Sequence, residues 1–139
     1  MAKIPPPLPN PSLDDLPHWE GLRRREFLIQ KCADCGTLQH PPRPMCFNCR
    51  SMNRGWLKAS GRGAIYSYTI VPQATHPAWR ESVPYNVVIV ELEEDVRVIS
   101  NLIDTPNDQI KVGLPVEMVF EDVAEDVTLH RFKLARPNP

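Results

Sequence analysis

Three observations predict a mainly β chain in which one short helix and a cysteine-bound ribbon precede a run of strands. All four cysteines fall within eighteen positions, as the pairs Cys32/Cys35 and Cys46/Cys49. After Trp56 the chain is a series of short segments rich in β-branched and aromatic residues, parted by turn formers. Ahead of the cysteines, Leu16, Trp19 and Leu22 recur at helical spacing. A length of 139 residues suits one ordinary domain, or a small domain with an attached module.

Residues 1–13 read as a proline-rich arm. Six prolines fall within the first seventeen positions, and Pro5-Pro6-Pro7 favours a polyproline II path that neither joins a central strand nor builds a helix. The helix is expected over residues 14–24. Ser12 offers a cap, Asp14 and Asp15 place acids at the positive end of the dipole, and Arg23-Arg24-Arg25 places cations at the negative end. Trp19 on that helix is expected to pack inward. Residues 26–30 then read as a strand entering the first cysteine pair, so residues 14–60 form a helix-plus-ribbon unit.

The pairs Cys32/Cys35 and Cys46/Cys49 are separated by ten residues. Each C-x-x-C turn can offer two sulfurs to one ion, and two such turns complete a tetrahedral zinc site with metal–sulfur distances of about 2.3 Å. Gly36 follows the first pair where a tight turn favours a residue tolerant of positive φ; Arg50 follows the second. The absence of an apolar leader in the first fifteen residues makes a cytoplasmic location the expectation, and disulfides are rare in that reducing compartment. A dithiol redox centre needs one C-x-x-C after a strand in a βαβ setting, which is missing. One structural zinc held by Cys32, Cys35, Cys46 and Cys49 is the reading. Four thiolates leave such an ion no open position for water or substrate, so it is not expected to be catalytic.

Residues 61–139 are expected to form the second unit. Its strands read as AIYSYTIV (64–71), YNVVIVEL (85–92), VRVISNLI (96–103), PVEMVFED (115–122) and VTLHRFKLA (127–135). Five short strands with a longer connection after the third, in which one helical turn is expected, fit a small Greek-key barrel of the OB type.

The net charge of −1 conceals a split. Up to Gly63 there are ten Lys/Arg against five Asp/Glu; from Ala64 onward there are six against twelve. Apolar runs such as residues 87–90 are far too short to span a bilayer. No P-loop or dinucleotide fingerprint occurs, and Ser67, His76 and His130 come from separate segments without a nucleophile–base motif. Independent catalysis is not expected.

The combination of PHWEGL, KCADCGTLQHPPRPMCFNC, SGRGAIYSYTIV and PYNVVIVELEE closely resembles a family of proteins that join a rubredoxin-like zinc ribbon to an OB-fold, long catalogued as a domain of unknown function. The similarity runs from about residue 16 to 135. It implies a companion of thiolase-superfamily enzymes, encoded beside them, whose complexes make or break carbon–carbon bonds on coenzyme A thioesters in lipid, aromatic or steroid degradation. The thiolase-like subunit carries the chemistry, and the small subunit serves assembly or activity. The resemblance also implies an acyl-CoA shared with the OB domain.

Coenzyme A carries a pyrophosphate and a 3′-phosphate, which suit arginine forks. The candidates for contact with it or with a protein partner are Arg43, Lys58 and Arg62, with Arg54 as a further cation, and Trp79 with Arg80 in the loop after the first barrel strand. The alternative is single-stranded nucleic acid, which zinc ribbons and OB barrels also bind. That reading needs a basic groove, and the acidic second half opposes phosphate approach.

Overall fold

The computed structural model describes residues 4–136. Residues 1–3 of the proline-rich arm and 137–139 lie outside that range. From Ile4 to Pro11 the arm has no regular structure and almost every residue is exposed.

Helix α1 spans Leu16–Arg23, two residues shorter at its start than the sequence suggests. Pro17 sits in its first turn, and the turn ahead of it closes on itself: Asp15 accepts the backbone N–H of Ser12 at 2.6 Å, while Leu16 N–H reaches Ser12 O at 2.9 Å. The carboxylate expected to serve the helix dipole is thus spent on the preceding turn. At the other end Arg25 adopts φ +65° and forks onto Asp122 with two bonds of 2.7 Å, clamping the helix exit to the barrel. Those bonds hold the Asp122 carboxyl well below its usual range. The buried face of α1 carries His18, Gly21 and Leu22, and half-buried Trp19 packs on the core.

A three-stranded antiparallel sheet, ordered β2-β1-β3, follows. Strand β1 is Leu28–Cys32, β2 is Leu38–Gln39 and β3 is Arg54–Lys58. The third of these is not legible in the sequence. RGWLK has no alternation to betray it, and it forms because β1 offers a free edge, paired from Leu28↔Lys58 to Cys32↔Arg54. Burial does not drive it; satisfaction of backbone donors and acceptors does.

The barrel comprises β4 (Arg62–Val71), β5 (Tyr85–Leu92), β6 (Arg97–Ser100), β7 (Pro115–Ala124) and β8 (Val127–Leu134), ordered β6-β5-β4-β7-β8 with antiparallel neighbours. All five correspond to expected strands. Strand β5 shows the strict alternation that fixes a register, with Asn86, Val88, Val90 and Leu92 buried. Gly63 is required where β4 runs close to β5, because a Cβ there would strike the backbone carbonyl of Glu91. Val88, Val90, Val98, Val116 and Phe132 form the barrel core, continuous with Leu22, Phe27 and Ile29 of the helix and ribbon.

The third barrel strand ends at Ser100, three residues before its expected end. From there the chain turns to close the barrel against β8. Phe132 N–H reaches Asn101 O at 3.0 Å and Ile103 N–H reaches Phe132 O at 2.8 Å. Two side chains complete the seam: Ser100 Oγ donates to His130 O at 2.8 Å, and His130 Nε2 lies 3.0 Å from Ile99 O. The bend itself is fixed by Asn86, whose amide accepts from Leu102 N–H at 2.7 Å and donates to Leu102 O at 2.8 Å. A short 3₁₀ turn over Asn107–Gln109 lies in the following connection, as the sequence suggests.

Candidate metal centre and its surroundings

Two chain reversals of the same design bring the cysteines together. In the first, Gly36 N–H bonds Cys32 O at 3.0 Å with Gly36 at φ +77°. In the second, Arg50 N–H bonds Cys46 O at 3.0 Å with Arg50 at φ +65°. The second knuckle therefore adopts the left-handed conformation without a glycine, against a steric cost of about 1 kcal/mol for a side chain there. The cue missing from the sequence is present in the geometry.

The four Sγ atoms all lie within 4.8 Å of one another, with Cys32–Cys49 at 3.5 Å and Cys35–Cys46 at 3.7 Å. A tetrahedron with 2.3 Å metal–sulfur bonds has edges of about 3.8 Å. A disulfide requires about 2.05 Å. The spacing matches ligands around one ion and not bonded pairs, and all four cysteines are free. Polar groups already face the sulfurs: Asn48 N–H lies 3.4 Å from Cys46 Sγ, Cys35 N–H 3.5 Å from Cys32 Sγ, and Thr37 Oγ1 3.0 Å from Cys35 Sγ. Such donors disperse the negative charge that four thiolates concentrate. Soft, closed and tetrahedral, the donor set fits zinc.

Two buried glutamines hold the knuckles in place. Gln30 and Gln39 are cross-strand partners on β1 and β2. The Gln30 amide accepts Arg43 N–H at 2.6 Å and donates to Arg43 O at 2.8 Å; the Gln39 amide accepts Phe47 N–H at 3.1 Å and donates to Met45 O at 3.2 Å. Each amide therefore acts as a strand of one residue, pinning the segment that delivers Cys46. Sequence reasoning overlooked both. The available signal was an uncharged polar residue inside each short apolar strand, LIQKC and LQ.

Below the ribbon, three histidines meet around Phe27. One comes from α1, one from the ribbon and one from the barrel: the rings of His18, His40 and His130 lie 5.1, 5.1 and 5.0 Å from that of Phe27. Burial, reinforced by His18 and then His130, pushes the His40 pKa down to about 3. Burial likewise lowers His130 to about 4, and His18 falls for the same cause. His130 donates from Nε2 to Ile99 O, and its Nδ1, like that of His40, is buried without a partner. These imidazoles are neutral packing elements.

The structure scatters the candidates for coenzyme A or partner contact. Arg43 borders a 530 Å³ cleft between ribbon and barrel, together with Phe47 and Arg97. Arg62 pairs with Glu93 at 3.1 Å and borders a second cleft of 350 Å³; the two clefts share Glu91. Trp79 lines a third, of 680 Å³, which shares no residue with either. Arg80 ends the short helical turn Pro77–Trp79 and is exposed, as is Lys58 at the end of β3. Arg54, the further cation, is engaged with Asp14 at 3.0 Å.

Comparison with known proteins places this architecture. Residues 19–53 match the rubredoxin-like zinc ribbon domain of ChsH2, and residues 56–121 match its C-terminal OB-fold domain. A DUF35 domain-containing scaffold protein of Methanothermobacter thermautotrophicus is 40% identical over 110 residues, covering 78% of this chain and 82% of the relative. The chain belongs to the DUF35 family. A further relative is the probable enoyl-CoA hydratase alpha subunit of Thermomonospora curvata, 37% identical over 93% of this chain, which spans only 40% of that protein's length. Among solved structures, the Ltp2-ChsH2(DUF35) aldolase superposes with a TM-score of 0.83 at 35% identity, covering 91% of this chain and 98% of the matched one. Among the described residues of this DUF35 chain, no helix is long and apolar enough to cross a membrane.

Proposed function

We propose that this chain is a non-catalytic accessory subunit of a thiolase-superfamily complex acting on acyl-CoA. It docks on the thiolase-like subunit, and its OB domain helps to position the coenzyme A thioester. One structural zinc, held by Cys32, Cys35, Cys46 and Cys49, cross-links the ribbon. The observation that carries this reading is the likeness, over nearly the whole length of both chains, to a chain of the Ltp2-ChsH2(DUF35) aldolase. The relative named as a probable enoyl-CoA hydratase alpha subunit supports the same class of substrate.

The chain's own chemistry agrees with a supporting role. Its four thiols are grouped as metal ligands, and three of its four histidines are packed neutral around Phe27. The fourth, His76, caps the turn Pro77–Trp79 through Nδ1. No nucleophile–base pair is assembled among the described residues. The nucleic-acid reading loses ground on two counts. The barrel half is acidic, and the face of Tyr66 is covered by the Arg97 guanidinium 3.7 Å from the ring centre.

Co-expression with a thiolase-like protein from the same genome tests the proposal. A stable complex is expected, with acyl-CoA turnover that neither protein shows alone. Absence of a complex, or turnover by this chain by itself, would overturn it.

A further inference from the structure

The surface around the second knuckle combines features that the metal site does not need. Within the eight positions 45–52, Met45, Phe47 and Met52 expose 47%, 72% and 64% of their surface. Phe47 lies one residue beyond a metal ligand, and Met45 one residue before it. Leu13, Ile99 and Val112 are as exposed, but here three large apolar side chains fall within one short turn, and clustered exposed apolar groups mark sites of association. The backbone that carries Met45 and Phe47 is also pinned. Cys46 N–H bonds Ser51 O, and the Gln39 amide grips the backbone on both sides of Cys46. Their presentation therefore costs little ordering entropy on binding.

Beside this protrusion lies a recess. Phe47 forms one wall of the 530 Å³ cleft that Leu38, Val96 and Arg97 line from below and opposite. A knob adjoining a hole is the shape of an interlocking contact. Around it stand Arg43 and Arg50, both exposed and neither in an ion pair among the described residues. Seven other cations, Arg24, Arg25, Arg54, Arg62, Arg97, Arg131 and Lys133, have acidic partners, whereas Arg23, Lys31, Lys58, Arg80 and Lys111 form no ion pair among the described residues. Arg43 and Arg50 are the two that flank the apolar knob in the chain.

We infer that the second zinc knuckle is the docking surface for the partner subunit, with Phe47 as the anchor in an apolar pocket whose rim is acidic. The inference rests on the accessory-subunit reading and names the surface that serves it. The methionines supply adaptable contact area, and Arg43 and Arg50 meet the acidic rim. The zinc then has a purpose beyond stability: it stiffens the element that is inserted.

The test uses the co-expressed complex and the purified pair. Phe47→Ala, alone and with Met45→Ala and Met52→Ala, is expected to raise the Kd for the thiolase-like protein at least about tenfold. Zinc content and melting temperature should remain those of the wild type, which separates lost docking from lost folding. Arg43→Glu with Arg50→Glu should slow association and reduce its salt dependence. If the wild type forms the complex and the Phe47 variants form it equally tightly, the docking assignment is wrong while the accessory role stands. If the wild type forms no complex, both fall. If instead the isolated chain dimerises and Phe47→Ala abolishes the dimer, the knuckle serves a second copy and the inference is overturned.

Discussion

The ribbon and the barrel solve the same problem by different means. The barrel excludes water from a continuous set of β-branched and aromatic side chains: Val88, Val90, Val98 and Phe132 are fully buried. The ribbon has little of this. Beyond Phe27, Ile29 and Ala59 at the barrel junction, its buried apolar positions are Cys32 and Cys46 of the candidate metal site, and its large apolar residues Met45, Phe47 and Met52 face outward. What holds it are four convergent sulfurs and two glutamine amides. A segment too small to bury a core can thus be fixed by coordination, which leaves its hydrophobic side chains free for another use.

Removing the metal should separate the two most sharply. Structural zinc contributes on the order of 10 kcal/mol to small modules of this kind. Chelation, or Cys46→Ser, is expected to unfold the ribbon while amide exchange in β4 and β5 remains slow. Equal loss of protection in both regions would show that the barrel, too, depends on the ion. The reverse experiment is Phe132→Ala, which empties the middle of the barrel and should cost about 3–5 kcal/mol. It lowers the melting temperature, and zinc stoichiometry at low temperature should not change.

Gln30→Ala tests the ribbon's second fastening. It leaves the Arg43 N–H without a partner and its C=O with the Arg54 guanidinium alone, at a cost of about 1–3 kcal/mol. The expected readout is faster zinc loss to a chelator, with barrel exchange unaltered. The junction where the two regions meet should respond to acid. His40 and His130 titrate near 3 and 4 in the fold and near 6.5 when unfolded. Between these values the unfolded chain binds more protons, so stability is complete above pH 6.5 and declines as pH falls toward 4. His130→Gln keeps a donor for Ile99 O and removes the titration. It should recover about 1–2 kcal/mol of the loss between pH 7 and pH 5, measured by thermal melts of both proteins. Arg62→Ala, which opens the exposed pair with Glu93, should shift the melting temperature least.

These contrasts also explain what the sequence disclosed. The cysteine quartet and the five barrel strands were legible because spacing and alternation are themselves the physical cause of each structure. Strand β3 escaped notice because its partner's free edge, and not its own residues, makes it a strand. Helix α1 began later than expected because Asp15 bonds backward to Ser12. The glutamine pair and the histidine cluster were invisible for a common reason. Gln30 reaches Arg43 thirteen positions away, and His18, His40 and His130 meet across more than a hundred, so only the folded chain brings them into contact. Arg43, Lys58, Arg62, Trp79 and Arg80 were selected by residue type, which carries no information about convergence.

The barrel's last seam differs from its other four. Between β6 and β8 a serine hydroxyl and an imidazole stand in for part of the backbone ladder. A cylinder stitched evenly has no preferred place to part; this one does. Thermal breathing should begin along the line from Ser100 to His130, and water reaching the interior would enter there first.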